Sequence, residues 1–325
     1  MPLSVAPRTA PSAAEIRQFA DDIAYYLALS PRQLPSKYFY DALGSALFEA
    51  ICELPWYRIT RAEQRLIERH RRKLIERVQP STLVELGPGS GAKLATILDA
   101  SPSWRHVSVH LVDVSAAALA AAARTLSDGG RVDVFTHQAP YESGLAAVRR
   151  SGPANGRTLT LFLGSNIGNF DPPGAHALLQ SIRGGLAPGD ALLVGADLVK
   201  EERKLLLAYD DPLGVTAAFN RNLLVRINRE IGGDFDVAAF AHRASWNAAA
   251  SRVEMHLVST RAQRVRVSRA GLEIAFREGE TVWTESSYKY EPACVVAMLE
   301  RAAFRPLEQW IDDEDRFALT LVEPA

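Results

Sequence analysis

Thr82-Leu83-Val84-Glu85-Leu86-Gly87-Pro88-Gly89-Ser90-Gly91 is the stretch on which the fold turns. A β-favouring run enters a loop in which every second residue is glycine. Leu94, Ile97 and Leu98 then recur at helical spacing. Glycines here let the backbone turn sharply into the helix and approach a ligand closely. Downstream, strand-like runs at 106–112, 131–135, 159–163 and 191–194 alternate with helical patterns at 116–126 and 175–186. Strand alternating with helix predicts a parallel, doubly wound α/β sheet.

Outside this core the pattern changes. Residues 12–61 read as helical, with Ile16, Phe19, Ile23, Tyr26 and Leu27 on one stripe. Residues 63–78 are charged and amphipathic, which predicts a surface helix. The polar helical stretch 198–236 and the strand-like runs 252–259, 264–267 and 273–276 predict a second, α+β lobe. The tail, with a helix at 292–303 and strands at 306–311 and 317–322, returns to the first sheet. The expected domains are 62–196 plus 291–325, and 12–61 plus 197–290.

The chain has 325 residues, with 37 Lys and Arg against 38 Asp and Glu, a net charge of −1. No basic face calls for a nucleic-acid partner. Cys52 and Cys294 are the only cysteines, too few for a disulfide framework or a thiolate zinc site. His106 and His110 sit on a predicted strand, where four residues span roughly 13 Å, so no shared metal ion is expected. Apolar runs such as 191–196 are too short to cross a membrane. Residues 1–14, with Pro2, Pro7 and Pro11, read as a frayed lead-in without the apolar core of a secretion signal. A cytoplasmic monomer acting on a small molecule is expected.

Two ligand classes use a glycine loop of this kind. Gly87, Gly89 and Ala92 satisfy the dinucleotide spacing weakly. Glu85, two residues before the first glycine, suits a cationic ligand such as S-adenosylmethionine better than a pyrophosphate. An ordinary strand-to-helix turn is the third reading. Asp113 ends the second strand, where an acid can accept both ribose hydroxyls of either ligand. Tyr141, after the third strand, can stack on adenine. Gly164-Ser165-Asn166-Ile167-Gly168-Asn169 ends the fourth strand, where ligands bind in open α/β sheets.

The blocks Tyr38-Phe39-Tyr40-Asp41, Leu54-Pro55-Trp56-Tyr57, Leu163-Gly164-Ser165 through Asn169, Asp197-Leu198-Val199-Lys200, Ala208-Tyr209-Asp210-Asp211, Arg252-Val253-Glu254-Met255 and Thr284-Glu285 to Tyr290 carry a resemblance. They look like the histidine-specific N-alpha-methyltransferases of ergothioneine biosynthesis, from about residue 36 to the C-terminus. The resemblance implies a Rossmann-like S-adenosylmethionine-dependent methyltransferase sheet with a substrate-binding lobe. It implies trimethylation of the α-amine of L-histidine to hercynine. By motif, Tyr57, Asn169 and Tyr209 fall on the residues that hold the substrate carboxylate. Glu285 and Ser287 fall on those that hold the imidazole, Met255 lies near it, and Tyr40 stands beside the amine. The cofactor set is Glu85, Gly87, Gly89, Lys93, Asp113, Tyr141, Gly164 and Ser165.

The residues support these roles independently. A carboxylate can pair with one imidazole nitrogen and a hydroxyl with the other. Strand alternation places Trp283, Glu285 and Ser287 on one face. One departure stands out: where the family carries an acid before the adenine-contacting aromatic, this chain has Ala139-Pro140-Tyr141, leaving Glu142 or Gln138 as substitutes. A rival substrate is another aromatic amino acid such as a tryptophan derivative. The rival of another class is a nicotinamide-dependent oxidoreductase. Glu285 argues against the first, because a carboxylate facing an indole is costly. Glu85 argues against the second.

Overall fold

The computed structural model describes residues 12–100, 107–127, 132–150 and 156–325. The lead-in up to residue 11 and His106 lie outside them. In chain order the elements begin α1 (Ala13–Ala28), β1 (Arg32–Gln33), α2 (Ala42–Glu53) and α3 (Ile59–Val78). Alternation follows: β2 (Pro80–Leu86), α4 (Ala92–Leu98), β3 (Val107–Asp113), α5 (Ala116–Ser127), β4 (Val132–Gln138), α6 (Tyr141–Arg150), β5 (Arg157–Phe162), α7 (Pro172–Arg183) and β6 (Ala191–Asp197). Next come α8 (Glu202–Tyr209), α9 (Val215–Ile231), β7 (Phe240–Asn247), β8 (Arg252–Ser259), β9 (Gln263–Val267), β10 (Leu272–Phe276) and β11 (Thr281–Tyr288). The chain closes with α10 (Pro292–Arg301), β12 (Phe304–Asp312) and β13 (Phe317–Pro324). No helix among the described residues is long and apolar enough to cross a membrane.

The chain divides into two compact units. The larger comprises Tyr40–Thr216, Ala244–Glu254 and Ser286–Ala325; the smaller comprises Met1–Phe39, Ala217–Arg243 and Met255–Glu285. These limits differ from the domains expected from sequence. α2 and α8 join the larger unit, and β7, β8 and β11 each divide along their length. α3, expected in that domain from residue 62, differs in its burial. Ile59, Leu66, Ile67, Leu74 and Val78 are buried, and the helix packs on β6, β12 and β13. Its many charged side chains made it read as a surface helix.

The larger unit holds a seven-stranded sheet, ordered β12-β13-β6-β5-β2-β3-β4. The run from β6 to β4 is parallel. β13 lies antiparallel to both β6 and β12, so the sheet is mixed at that end. From β2 the chain winds outward through β3 and β4, then returns to β5 on the other side of β2. The switch point therefore lies between the C-terminal ends of β2 and β5, where open sheets of this kind bind ligands. Every residue of β6 is buried, as expected for a strand covered on both faces. Phe162, Leu178, Leu192, Leu299 and Phe304 sit in one core cluster. Fully burying each such side chain contributes about 1.5–3 kcal/mol.

In the smaller unit Phe39 stacks on Phe219, with ring centroids 4.5 Å apart. Tyr38 packs on Phe19 at 4.3 Å, and Arg226 lies over both of those rings. β9 and β10 form an antiparallel pair. β1 pairs with β11 in parallel, Gln33 opposite Trp283; so short a strand leaves no alternation to read in the sequence.

Candidate active site

The glycine loop closes β2. Gly87 has φ of +73°, a backbone conformation that costs other residues about 1–3 kcal/mol. A Cβ there would lie 2.7 Å from Asn166 Nδ2 and 2.9 Å from the Tyr141 hydroxyl. Three elements thus meet at one point: the β2 loop, the start of α6, and the 3-10 turn Asn166–Asn169 after β5. Gly89 is also left-handed, at φ +54°. The Tyr141 ring packs on Phe162 and Phe170, at 5.5 and 6.3 Å. Burial pushes its hydroxyl pKa up. Its hydroxyl therefore faces the glycine loop, and part of the ring expected to stack on adenine is taken up by core packing.

Glu85 is only 1% exposed. Its Oε2 has no hydrogen-bond partner among the described residues. Burial pushes its pKa up to about 8; Lys93 opposes this, and Glu63 and Asp113 add to it. A buried acceptor without a donor is costly. Asp113 ends β3 and accepts the Ser115 N–H on Oδ1 at 2.8 Å. Burial raises its pKa as well. The Ser115 hydroxyl lies 3.1 Å from that of Ser45 on α2.

Lys93 pairs with Glu63. Burial disfavours its charge, but the Glu63 carboxylate outweighs that and holds its pKa above the usual value. Glu63 is fully buried, and both its oxygens accept the Gly164 N–H at 2.8 Å. This carboxylate, which sequence reasoning missed, ties α3 and α4 to the end of β5. The one available signal was a lone acid on the apolar stripe of α3, masked by its charged neighbours. Ser165, expected at the cofactor, is buried and accepts the Asp197 N–H at 2.9 Å. Its hydroxyl joins the ends of β5 and β6.

A chain of aromatic edges runs through the larger unit. Tyr40 meets Phe48 at 5.8 Å, Phe48 meets Tyr57 at 6.2 Å, and Tyr57 meets Tyr209 at 6.3 Å. Asn169 ends the 3-10 turn, which is pressed onto the strand after Ser286. A Cβ on Gly168 would lie 2.7 Å from the Tyr288 carbonyl, and the Tyr290 hydroxyl donates to Ile167 O at 3.3 Å. Tyr209 and Ser287 share a hydrogen bond of 2.8 Å. Lys289, buried at their side, donates to Tyr209 at 2.8 Å and to Ser287 at 3.0 Å. It pairs with Asp197 at 2.9 Å. Tyr209 and Ser287 were expected at opposite ends of the substrate, yet they belong to one network. Lys289 was not foreseen, because a lysine next to two tyrosines on a strand reads as solvated.

Met255 and Glu285 belong to the smaller unit. Met255 is buried, and its carbonyl accepts the Thr284 hydroxyl at 3.0 Å. Glu285 is half-buried, and its carbonyl accepts the Trp283 indole N–H at 2.9 Å. Burial alternates along β11 through Thr284 and changes phase at Ser286. His137 Nε2 lies 3.0 Å from His110 Nδ1. Among the described residues no group of three or more His, Cys, Asp or Glu could hold a metal.

The family described as histidine-specific methyltransferase, SAM-dependent, matches residues 19–324. The chain is 40% identical to a histidine N-alpha-methyltransferase of Mycolicibacterium smegmatis, over 92% of this chain and 93% of that one. A protein of the same description from Mycobacterium tuberculosis matches at 40% over the same shares. Ergothioneine biosynthesis protein 1 of Schizosaccharomyces pombe is 26% identical over 90% of this chain and 39% of its own length. This chain therefore belongs to the S-adenosylmethionine-dependent, histidine-specific methyltransferases.

Proposed function

We propose that this chain transfers methyl groups from S-adenosylmethionine to the α-amine of L-histidine, through the mono- and dimethylated forms, to the trimethylated betaine hercynine. The observation that carries this is the family match over residues 19–324, a span that contains every candidate site residue. The loop residues fit the cofactor. Glu85 presents a buried carboxyl oxygen without a partner, suited to a cationic ligand. Gly87 and Gly89 keep side-chain bulk away from the loop.

The cofactor, when bound, supplies a methyl already activated on a sulfonium. What the protein adds is alignment of a neutral amine with that carbon, a contribution that can reach about 7–11 kcal/mol. In this reading Asp113 accepts the ribose hydroxyls. Tyr57, Asn169 and Tyr209 hold the substrate carboxylate. Glu285 and Ser287 hold the imidazole, with Met255 beside it. Tyr40 orients the amine and passes its proton to water before each attack. Turnover with each of the twenty amino acids, read by mass spectrometry, tests the assignment. Histidine is expected to gain mass far faster than any other; a faster gain on tryptophan or tyrosine would refute it.

Asp113→Ala is expected to weaken S-adenosylhomocysteine binding by about 1.5–3 kcal/mol, since hydrogen bonds to a charged acceptor are worth that much. Calorimetry with unchanged affinity would remove Asp113 from the cofactor site. Tyr57→Phe and Asn169→Ala are each expected to raise the KM for histidine roughly ten- to hundredfold, the worth of one hydrogen bond to a charged group. Cofactor affinity should hardly move. An equal loss of S-adenosylhomocysteine affinity in either variant would contradict the carboxylate assignment.

A further inference from the structure

Glu63 is a buried carboxylate for which the reading above has no role. It is 0% exposed and sits on α3, outside the loops that carry the candidate site. Both of its oxygens accept the Gly164 N–H at 2.8 Å, and Lys93 pairs with Oε2. The fold makes room for it: a Cβ on Gly195, in β6, would overlap Glu63 Oε1. Burying an acid is costly unless its charge is matched. Leu66 and Ile67 bury apolar surface on the same helix at no such cost.

Glu85 stands two residues before Gly87, and Lys93 stands two residues after Gly91. The two act on each other electrostatically across the glycine loop, so a mutual ion pair is the simplest arrangement. Instead Lys93 pairs with Glu63, and Glu85 Oε2 has no hydrogen-bond partner among the described residues. Glu63 keeps Lys93 charged although burial opposes the charge. An ammonium has three N–H donors, and among the described residues Glu63 is the partner that Lys93 takes. The Lys93 side chain keeps 22% exposure. Its Nζ lies 3.5 Å from where a Cβ on Gly164 would be, so it borders the switch point beside a residue without a side chain.

A cation with spare donors and a carboxyl with a spare acceptor are thus held apart at the two ends of one glycine loop. S-adenosylmethionine ends in an α-amino acid, which carries a carboxylate and an ammonium on one carbon. We propose that Glu63 is a positioning residue that holds Lys93 off Glu85, leaving Lys93 for the cofactor's carboxylate and Glu85 for its cationic part. This rests on the placing of Glu85 and Lys93 at the cofactor made above.

The test compares S-adenosylhomocysteine with 5′-methylthioadenosine, which keeps the adenine, ribose and thioether but lacks the amino-acid end. Both are titrated by calorimetry into wild type and Glu63→Gln. The glutamine keeps the size of the side chain and an oxygen for the Gly164 N–H, and loses the charge. Wild type should prefer S-adenosylhomocysteine by about 100-fold or more, the worth of two charge-assisted hydrogen bonds. In Glu63→Gln the preference should fall below about tenfold, because Lys93 turns to Glu85 and both are lost to the ligand. The affinity for 5′-methylthioadenosine should hardly move. Lys93→Met should show the same fall. Removing one partner of a buried pair is destabilising; should Glu63→Gln not fold, the double variant with Lys93→Met removes both charges together. Its preference is expected to equal that of Lys93→Met alone, since Glu63 acts through Lys93. A wild-type preference in Glu63→Gln, an equal loss of both affinities there, or a further loss in the double variant would overturn the proposal. If wild type itself binds the two ligands equally, the placing of Glu85 and Lys93 at the cofactor fails first, whatever the variants do.

Discussion

In Glu285→Ala, the preference for histidine over tryptophan is expected to fall by a factor on the order of ten thousand. In the proposed function the wild-type carboxylate pairs with an imidazole N–H. A side chain without that donor leaves the carboxylate desolvated and unpaired, which is how polar sites discriminate most strongly. Phenylalanine should therefore be a very poor substrate for wild type despite its comparable ring. In the variant, histidine loses its partner while the desolvation cost against an apolar ring disappears. Both changes move the ratio the same way. The measurement is kcat/KM for histidine, phenylalanine and tryptophan in the two proteins. An unchanged histidine-to-tryptophan ratio would mean that Glu285 does not read the imidazole.

Glu85→Gln should stabilise the unliganded enzyme by an amount that depends on pH. The Glu85 pKa is pushed up to about 8 by burial, from an ordinary value of 4.5. The folded state therefore holds a proton that the unfolded chain gives up. Below about pH 4.5 both states are protonated and the stabilising contribution is complete. As pH rises toward 8 it is lost, because unfolding releases the proton. The glutamine variant has no such loss. Its advantage over wild type should grow by roughly 1 kcal/mol per pH unit between about pH 5 and 8, then level off. The same variant should bind S-adenosylmethionine more weakly, because a neutral amide replaces the carboxylate that a cationic ligand needs. Denaturant unfolding at a series of pH values checks the first part and calorimetry the second. A stability difference independent of pH would show that Glu85 is ionised in the unliganded fold.

The sheet was legible because its signals are local. The run from Thr82 into Gly87, Gly89 and Gly91 contains both the strand and the turn that ends it. The alanine-rich 116–126 helix and the apolar 191–194 strand need no context. The smaller unit was harder. β1 has two residues, and the strand it pairs with is β11, some 250 positions away. β7 carries a polar sequence, Ala241-His242-Arg243-Ala244-Ser245, that gives no alternation. The candidate site shows the same division. Glu85, Asp113, Tyr141 and Asn169 lie at strand ends or the first turns after them, so position alone suggested them. Glu63 and Lys289 did not stand out, because each is a charged residue whose burial depends on partners distant in sequence. Gly164 meets Glu63 from 101 positions away, and Asp197 holds Lys289 from the end of another strand. Tertiary pairing of that kind leaves no periodic mark.

The central claim is that this enzyme builds a quaternary ammonium on the α-nitrogen of histidine. The most direct test is proton NMR and tandem mass spectrometry of the product made from isotopically labelled L-histidine and excess S-adenosylmethionine. The account predicts one end product, three methyl groups heavier than histidine, with a single methyl resonance for equivalent N-methyls and fragments that place all three on the α-nitrogen. Methylation of an imidazole nitrogen, or no methylated histidine under conditions where the enzyme binds S-adenosylhomocysteine, would contradict it.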